Sequence, residues 1–242
     1  MRPAAFAASA LVLAVATSAA AIAVAPFSSM SAGRELPPGW RIVEVPKAAP
    51  ADVSLVRDDD ATVLRIVARS SASSVAMRLR TPGNGSRVAW RWKVDRVVEG
   101  GDLGTRAGDD YAARVYVTFD VPLDRLPFAT RTRIRLARLF FGSELPVAAL
   151  CYVWDNRHPP GTQAWNAYSD HVRMIVVESG AADAGRWKEE SRDVAADWRA
   201  SFGARWPGPV PDIDGLVVSS DTDQTGEAVT AWFGDVRLET RP

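Results

Sequence analysis

From Trp40 onward, hydrophobic positions recur with a period of two. Leu64, Ile66 and Ala68 fall on one face of a run whose other face carries Arg65 and Arg69. Trp90, Trp92 and Val94 oppose Arg91, Lys93 and Asp95. Tyr111, Ala113, Val115, Val117 and Phe119 oppose Arg114, Tyr116, Thr118 and Asp120. Side chains alternate across a strand, so one apolar and one polar face is the mark of a sheet packed on one side. The pattern predicts strands over 40–45, 53–57, 62–69, 74–80, 88–95, 111–120, 146–154 and 171–179. Asp58-Asp59-Asp60, Ser70-Ser71 and Pro82-Gly83-Asn84-Gly85 punctuate them as turns.

Two stretches change period. Arg131, Arg135 and Arg138 recur at helical spacing opposite Leu136, Leu139 and Phe140, which predicts a helix within 123–141. Its basic face suits an acidic membrane surface or partner, or simply water over one end of a sandwich. A second short helix is predicted over 194–202, capped by Asp193 or a neighbour and ended by Gly203. Near the C-terminus a β-branched run at Val217 and Val218 enters the polar loop 221–226, and a second extended run, 229–238, leaves it. That succession predicts a hairpin. The resulting fold class is all-β: an antiparallel β-sandwich with one or two short peripheral helices.

Composition narrows the picture. Hydrophobic residues make up 47% and charged residues 24% of 242, ample for one large all-β domain. Lys plus Arg and Asp plus Glu are each 29, so no global basic field attracts nucleic acid. Nine Trp residues suit either a sandwich core or a flat sugar-binding face.

The N-terminus bears on compartment. Arg2 precedes an apolar, Ala-rich run from Ala4 to Ala25 with small-residue cleavage patterns at 17–19, 19–21 and 23–25. Residues 1–25 therefore read as a secretory signal; an uncleaved anchor is the rival, disfavoured because Ala contributes little to insertion. Once the signal is removed, no stable membrane span is expected, and the protein is expected to be periplasmic or secreted. Residues 26–39, rich in Pro, Ser and Gly, read as a linker, and 40–242 as a single domain. Cys151 is the sole cysteine, so no intrachain disulfide can form, and its apolar surroundings make it a buried thiol rather than a nucleophile.

A set of motifs then stands in order: Gly108-Asp109-Asp110-Tyr111 running on to Phe119, Tyr152-Val153-Trp154, Ser179-Gly180, Trp187 to Val194 with Asp197, Phe202-Gly203, and Asp221-Thr222-Asp223-Gln224-Thr225-Gly226. This set resembles a bacterial family of unknown function, numbered 3047, over essentially the whole domain. The resemblance implies a secreted or periplasmic jelly-roll-like sandwich and no assigned activity. The closing segment, Ala231 to Leu238, also resembles the last strand of galactose-binding-type jelly rolls found in many carbohydrate-binding modules.

Candidate chemistry falls in two groups. Asp110, Arg114, Asp155 and Arg192 are charges set in or beside apolar runs, where they need partners. They read either as ion pairs fixing the fold, Arg192 with Asp197 among them, or, for Asp110, Arg114 and Asp155, as a polar cleft for an oxygen-rich ligand. Asp221, Asp223 and Thr225 place oxygens two residues apart with Gly226 next, as in a calcium loop, so Ca2+ is a candidate cofactor. The same turn can also be held by Asx-type hydrogen bonds without an ion. The twelfth position, Trp232, cannot ligate, which leaves Glu227 as a nearby candidate. Like charges at Asp221 and Asp223 call for a cation or for a donor such as Arg192. Nucleophile elbows, zinc spacings, phosphate loops and dinucleotide fingerprints do not occur. The functional expectation is a non-catalytic binding protein for carbohydrate or a cell-envelope polymer; the alternative is a polysaccharide-acting hydrolase or lyase using the Asp/Arg cluster.

Overall fold

The computed structural model describes residues 20–45, 47–122 and 147–240. Its first seven strands are β1 (Ala20–Ala23), β2 (Trp40–Glu44), β3 (Ala49–Pro50), β4 (Asp52–Asp58), β5 (Ala61–Arg69), β6 (Ser71–Thr81) and β7 (Ser86–Val94). Then come β8 (Ala113–Phe119), β9 (Ala148–Asp155), β10 (Gln163–Asn166), β11 (Ser169–Ser179) and β12 (Lys188–Asp193). The helix α1 (Val194–Phe202) follows, and β13 (Ile213–Asp221), β14 (Ala228–Phe233) and β15 (Arg237–Thr240) close the chain. The helix predicted within 123–141 lies outside the described residues, apart from its surroundings at 121–122.

The strands form two stacked sheets. One runs β1-β15-β7-β14-β5-β4, with β12 on the other edge of β7; the second runs β10-β11-β9-β8-β13-β6-β2, with β3 beside β6. Pairing is antiparallel except for β9 with β11 and β3 with β6. This is the expected jelly-roll-like sandwich with a peripheral helix. Among the described residues no helix is long and apolar enough to cross a membrane.

Alternation places the core. Val115 and Val117 of β8, Leu216 and Val218 of β13, and Leu150 and Tyr152 of β9 face Trp90 and Trp92 of β7 and Ala231 and Phe233 of β14, all at 4% exposure or less. Trp40, Trp90, Trp92, Trp154, Trp198 and Trp206 are buried there and serve packing, while Trp187 and Trp232 are half-buried and Trp165 is exposed. Trp90 stacks on Tyr152 at 5.2 Å, and Trp92 tilts against Trp154 at 5.9 Å. Helix α1 starts where expected: the Asp193 carboxylate accepts from Ala196 N at 2.9 Å, satisfying a first-turn N–H that has no intrahelical partner. Trp198 and Phe202 then cover the end of the core, with Trp198 4.4 Å from Phe119.

Two expectations are revised. Residues 213–240 do not make a hairpin: β13 pairs with β6 and β8 in one sheet, while β14 pairs with β5 and β7 in the other. Both strands bury an apolar face against the shared core, so the loop between them carries the chain from one layer to the other. The run expected over 229–238 is also divided into β14 and β15, which pair with successive stretches of β7 on either side of residues 234–236.

The stretch read as a linker has packing of its own. Phe27, in the short 3-10 turn Phe27–Ser29, is fully buried and lies 5.0 Å from the Trp40 ring, whose Nε1 donates to Ala25 O at 3.0 Å. Ser28 N donates to Asp235 Oδ1 at 3.0 Å. One aromatic plugging an end of the sandwich leaves no periodicity in the surrounding Pro and Ser, so composition alone does not reveal it. β1, inside the segment read as a signal, pairs with β15.

The sheet containing β8 also packs on its outward face. The chain between β7 and β8 lays Leu103 and Tyr111 over Cys151, Val153, Met174 and Val176, forming a second, smaller apolar cluster. It covers the β9–β11 side and leaves the β8–β13–β6 side open.

Candidate functional site

The site is set by register. Arg114 of β8, Ser219 of β13 and Ser74 of β6 lie in one row on the outward face, opposite the core row of Val115, Val218 and Val75. Arg114 is nonetheless only 3% exposed, because the 109–111 and 221–225 segments close around it. A guanidinium taken out of water needs its donors matched by anions. Its Nε donates to Asp221 Oδ1 at 3.2 Å, and its Nη2 donates to Asp221 Oδ2 at short range and to Asp109 O at 2.6 Å. Its Nη1 donates to Asp109 Oδ1 at 3.2 Å, and its plane sits 4.6 Å from the centre of the Tyr111 ring.

The two segments clasp each other through backbone groups as well. Tyr111 N donates to Asp221 Oδ1 at 3.0 Å, and Asp221 N donates back to Tyr111 O at 3.2 Å. Asp110 has no exposed surface; its Oδ2 accepts from Gln224 N at 3.0 Å and Thr225 N at 2.6 Å. Gly226 ends the turn at φ +76°, a left-handed geometry that costs glycine nothing, and its N–H closes on Thr222 O at 2.9 Å.

These contacts leave the cluster short of positive charge. Asp109 and Asp221 share one guanidinium, and Asp110 and Asp223 stand close to Asp221. Burial pushes the Asp221 carboxyl up to about 7, and Asp110 and Asp109 reinforce the shift against the pull of Arg114 and the Tyr111 N–H. Burial and Asp110 also raise Asp223. Arg114 is held charged all the same: burial opposes its charge, but Asp221, then Tyr116 and Asp109, outweigh it. The two directions conflict only if Asp221 is paired with Arg114 alone. Burial is the larger cause of the rise at Asp221, and the neighbouring carboxylates add to it.

Beside this knot opens a cleft of about 480 Å³. Arg114, Asp109, Asp221 and Asp223 line one end, Ser74 and Ser219 its floor, and Tyr116 and Tyr168 its aromatic part. Tyr168 is 54% exposed, with its hydroxyl donating to Arg106 O at 3.2 Å. A larger groove of about 620 Å³ lies on the other sheet, lined by Arg91, Glu189, Asp235, Arg237 and Glu239. Glu189 and Arg237 there are exposed to water, and burial raises one of its charges, Glu190, to about 7, whereas the cleft gathers several buried charges around Arg114 and Asp221, so the smaller depression is the better functional candidate.

The structure brings Asp110, Arg114, Asp221, Asp223 and Thr225 together and separates the other candidates. Asp155 is fully buried, but its Oδ1 accepts from Arg157 N at 2.7 Å and His158 N at 2.6 Å, capping the turn after β9. Arg192 lies on the other sheet, where its Nε and Nη2 fork onto Asp197 at 3.0 and 2.7 Å and Tyr152 Oη donates to the same carboxylate at 2.9 Å. The donor that meets Asp221 is therefore Arg114, not Arg192. Glu227 turns away to accept from Glu99 N at 3.0 Å and Gly100 N at 2.8 Å. Burial pushes the Cys151 thiol up to about 12, which keeps it protonated and unreactive. Asp109, Tyr116 and Tyr168 were missed in sequence; the Asp109-Asp110 pair just before an alternating strand was the available signal for the first.

No curated protein sequence matches the chain. Among solved structures, it is similar to a family 12 xyloglucanase from Bacillus licheniformis, with a TM-score of 0.47 at 8% identity over 92% of this chain and 100% of that one. It is similar to the endoglucanase cel12A from Rhodothermus marinus at a TM-score of 0.44 and 8% identity, over 92% and 96% of the two chains. It is also similar to the family 11 carbohydrate-binding module of a cellulosomal cellulase from Clostridium thermocellum, at 0.41 and 8%, over 93% and 97%. Residues 38–237 match the model of the family described as protein of unknown function, DUF3047, and the chain belongs to that family.

Proposed function

We propose that this is an exported, non-catalytic binding protein, periplasmic or secreted, whose cleft on the β8–β13–β6 face takes a carbohydrate or another hydroxyl-rich polymer of the cell envelope. The observation that carries this reading is the composition of the cleft: fixed ionic and hydroxyl groups together with an exposed Tyr ring. Sugars offer alternating hydroxyls and apolar C–H faces, which such a surface meets with directed hydrogen bonds and a flat ring. Phosphate-rich nucleic acid would meet repulsion, since carboxylates outnumber guanidinium groups at the charged end.

Binding is favoured over hydrolysis by the placement of the acids. Glycoside cleavage needs two carboxyl groups on opposite sides of the scissile bond, about 5–9.5 Å apart. The cleft's carboxylates instead crowd one end, and Asp109 and Asp221 are engaged by Arg114. A raised carboxyl such as Asp221 could serve as an acid, but among the described residues lining the cleft the other carboxylates, Asp109 and Asp223, belong to the same cluster around it.

A glycan array probed with the domain tests the reading. Binding to a defined envelope polysaccharide is expected, with affinity at least tenfold lower for Tyr168→Ala, whose side chain is exposed and peripheral to the fold. Turnover of a bound glycan into shorter products would replace this reading with the hydrolase or lyase. Retention of full affinity by Tyr168→Ala and by a Ser74→Ala/Ser219→Ala double variant would remove the cleft from binding.

A further inference from the structure

We propose that Asp110, Asp221 and Asp223 hold a hard divalent cation, Ca2+ by preference, which ties the 109–111 segment to the 221–226 crossover. One carboxylate oxygen from each of the three lies within 4.8 Å of the other two. Three acids in proximity are common on protein surfaces and say little alone. Here a second observation points to a ligand: Asp110 has no exposed surface, and its Oδ1 has no hydrogen-bond partner among the described residues. A buried carboxylate oxygen without a donor is a costly arrangement, and folded proteins fill it with a proton donor, a water or an ion. Because Oδ2 is already taken by the Gln224 and Thr225 N–H groups, Oδ1 is the oxygen left to coordinate.

Charge points the same way. Asp109 and Asp221 share Arg114, Asp110 and Asp223 stand close to Asp221, and Lys47 on the rim of the cleft is exposed to water. A dication supplies what one guanidinium cannot. The donor set is entirely oxygen, with neither His nor Cys, which selects a hard ion over zinc or copper. Oxygens bound to Ca2+ at about 2.3–2.6 Å can stand up to roughly 4.6–5.2 Å apart across the ion, a spread that accommodates the observed separations; Mg2+, at about 2.0–2.1 Å, requires a tighter cage. The remaining positions fall to water and to any neighbouring oxygen. Thr225 Oγ1, on the residue whose N–H already binds Asp110, is buried and also lacks a partner among the described residues.

The site differs from a contiguous calcium loop. Two of its acids come from the β13–β14 crossover and the third from the approach to β8, more than a hundred residues earlier in sequence. The ion would therefore act as a cross-link between distant segments, and its presence is independent of whether the cleft binds sugar.

Calorimetric titration of the chelator-stripped protein with CaCl2, paired with thermal melting, tests the proposal. Saturable binding near one equivalent is expected, and Ca2+ at a hundredfold excess over its Kd should raise the Tm by about 5–11 °C, reversed by chelator. Mg2+ should shift it less. Asp223→Asn is the informative variant, since Asp223 is partly exposed and its side chain accepts from the neighbouring Gln224 amide rather than from a distant segment among the described residues, so the fold should survive. Its Ca2+ affinity should fall at least tenfold, and Asp110→Asn, where it folds, should abolish binding. Absence of heat and of any Tm shift with Ca2+, Mg2+ or Mn2+ would overturn the proposal, as would undiminished Ca2+ affinity in Asp223→Asn.

Discussion

Removing the Arg114 side chain should be the most damaging single change to the site. Arg114→Ala deletes a 3%-exposed guanidinium that bonds both oxygens of Asp221 and both the carboxylate and the carbonyl of Asp109. The loss is less than the sum of four charge-assisted bonds, because each acid keeps another donor. Asp221 retains the Tyr111 N–H at 3.0 Å, and Asp109 retains the Asn166 amide at 3.1 Å. What remains is the cost of leaving two crowded carboxylates without their counter-ion, about 3–5 kcal/mol for breaking a buried pair. For a domain of this size that corresponds to a Tm lower by about 6–20 °C. Circular-dichroism melts and urea titrations of parent and variant, at one fixed metal concentration, measure it. Arg114→Lys should fall between the two, since an ammonium keeps the charge but not the two-pronged geometry. In a double-mutant cycle, Asp221→Asn should recover part of the loss by removing one stranded charge. A variant melting within about 2 °C of the parent would show that Arg114 is not the counter-ion of this cluster and would refute the reasoning.

Two further outcomes are expected. Burial, with Glu178 adding to it, raises Glu190 from 4.5 to about 7, so between those values the folded protein holds more protons than the unfolded chain and stability falls as pH rises. Glu190→Gln should flatten that slope and, after discounting for solvent screening, gain about 1 kcal/mol, or ~2–4 °C, at pH 8; a slope identical to the parent's would clear Glu190 of the effect. Expressed in a Gram-negative host, the protein should be recovered from the periplasm with roughly 20 to 30 residues removed, and full-length mass in the membrane fraction would establish an anchor instead.

The sheets were legible because each core strand alternates: Leu64 and Ile66, Trp90 and Trp92, Val115 and Val117 all lie on the face that the pattern assigned to the core. Helix α1 was legible to the residue: Asp193 caps its first turn as expected, and Gly203 follows its last residue, although there it keeps a right-handed geometry. The partner of β13 was not. A polar loop between two β-branched runs looks alike whether the strands pair or pass to opposite layers, and only the positions of β5, β6, β7 and β8 distinguish the cases. The acid and Arg114 cluster was half legible. Sequence supplied Asp110, Arg114, Asp221 and Asp223 as charges needing partners, but the joining of 109–111 to 221–225 is a long-range contact that no local spacing encodes. Asp155 and Arg192 were singled out by the same rule of charges beside apolar runs. They found their partners locally, in the turn after β9 and at Asp197, which is why they stand apart from the cleft.

The most direct test of the central claim is to locate a bound glycan by backbone amide shift mapping on the labelled domain, using the strongest binder from the array. Shifts concentrated at Ser74, Arg114, Tyr116, Tyr168, Ser219 and Asp223, saturating with a single Kd, are the predicted result. Shifts confined to Arg91, Glu189, Asp235 and Arg237 on the opposite sheet, with the cleft amides unmoved, would contradict it.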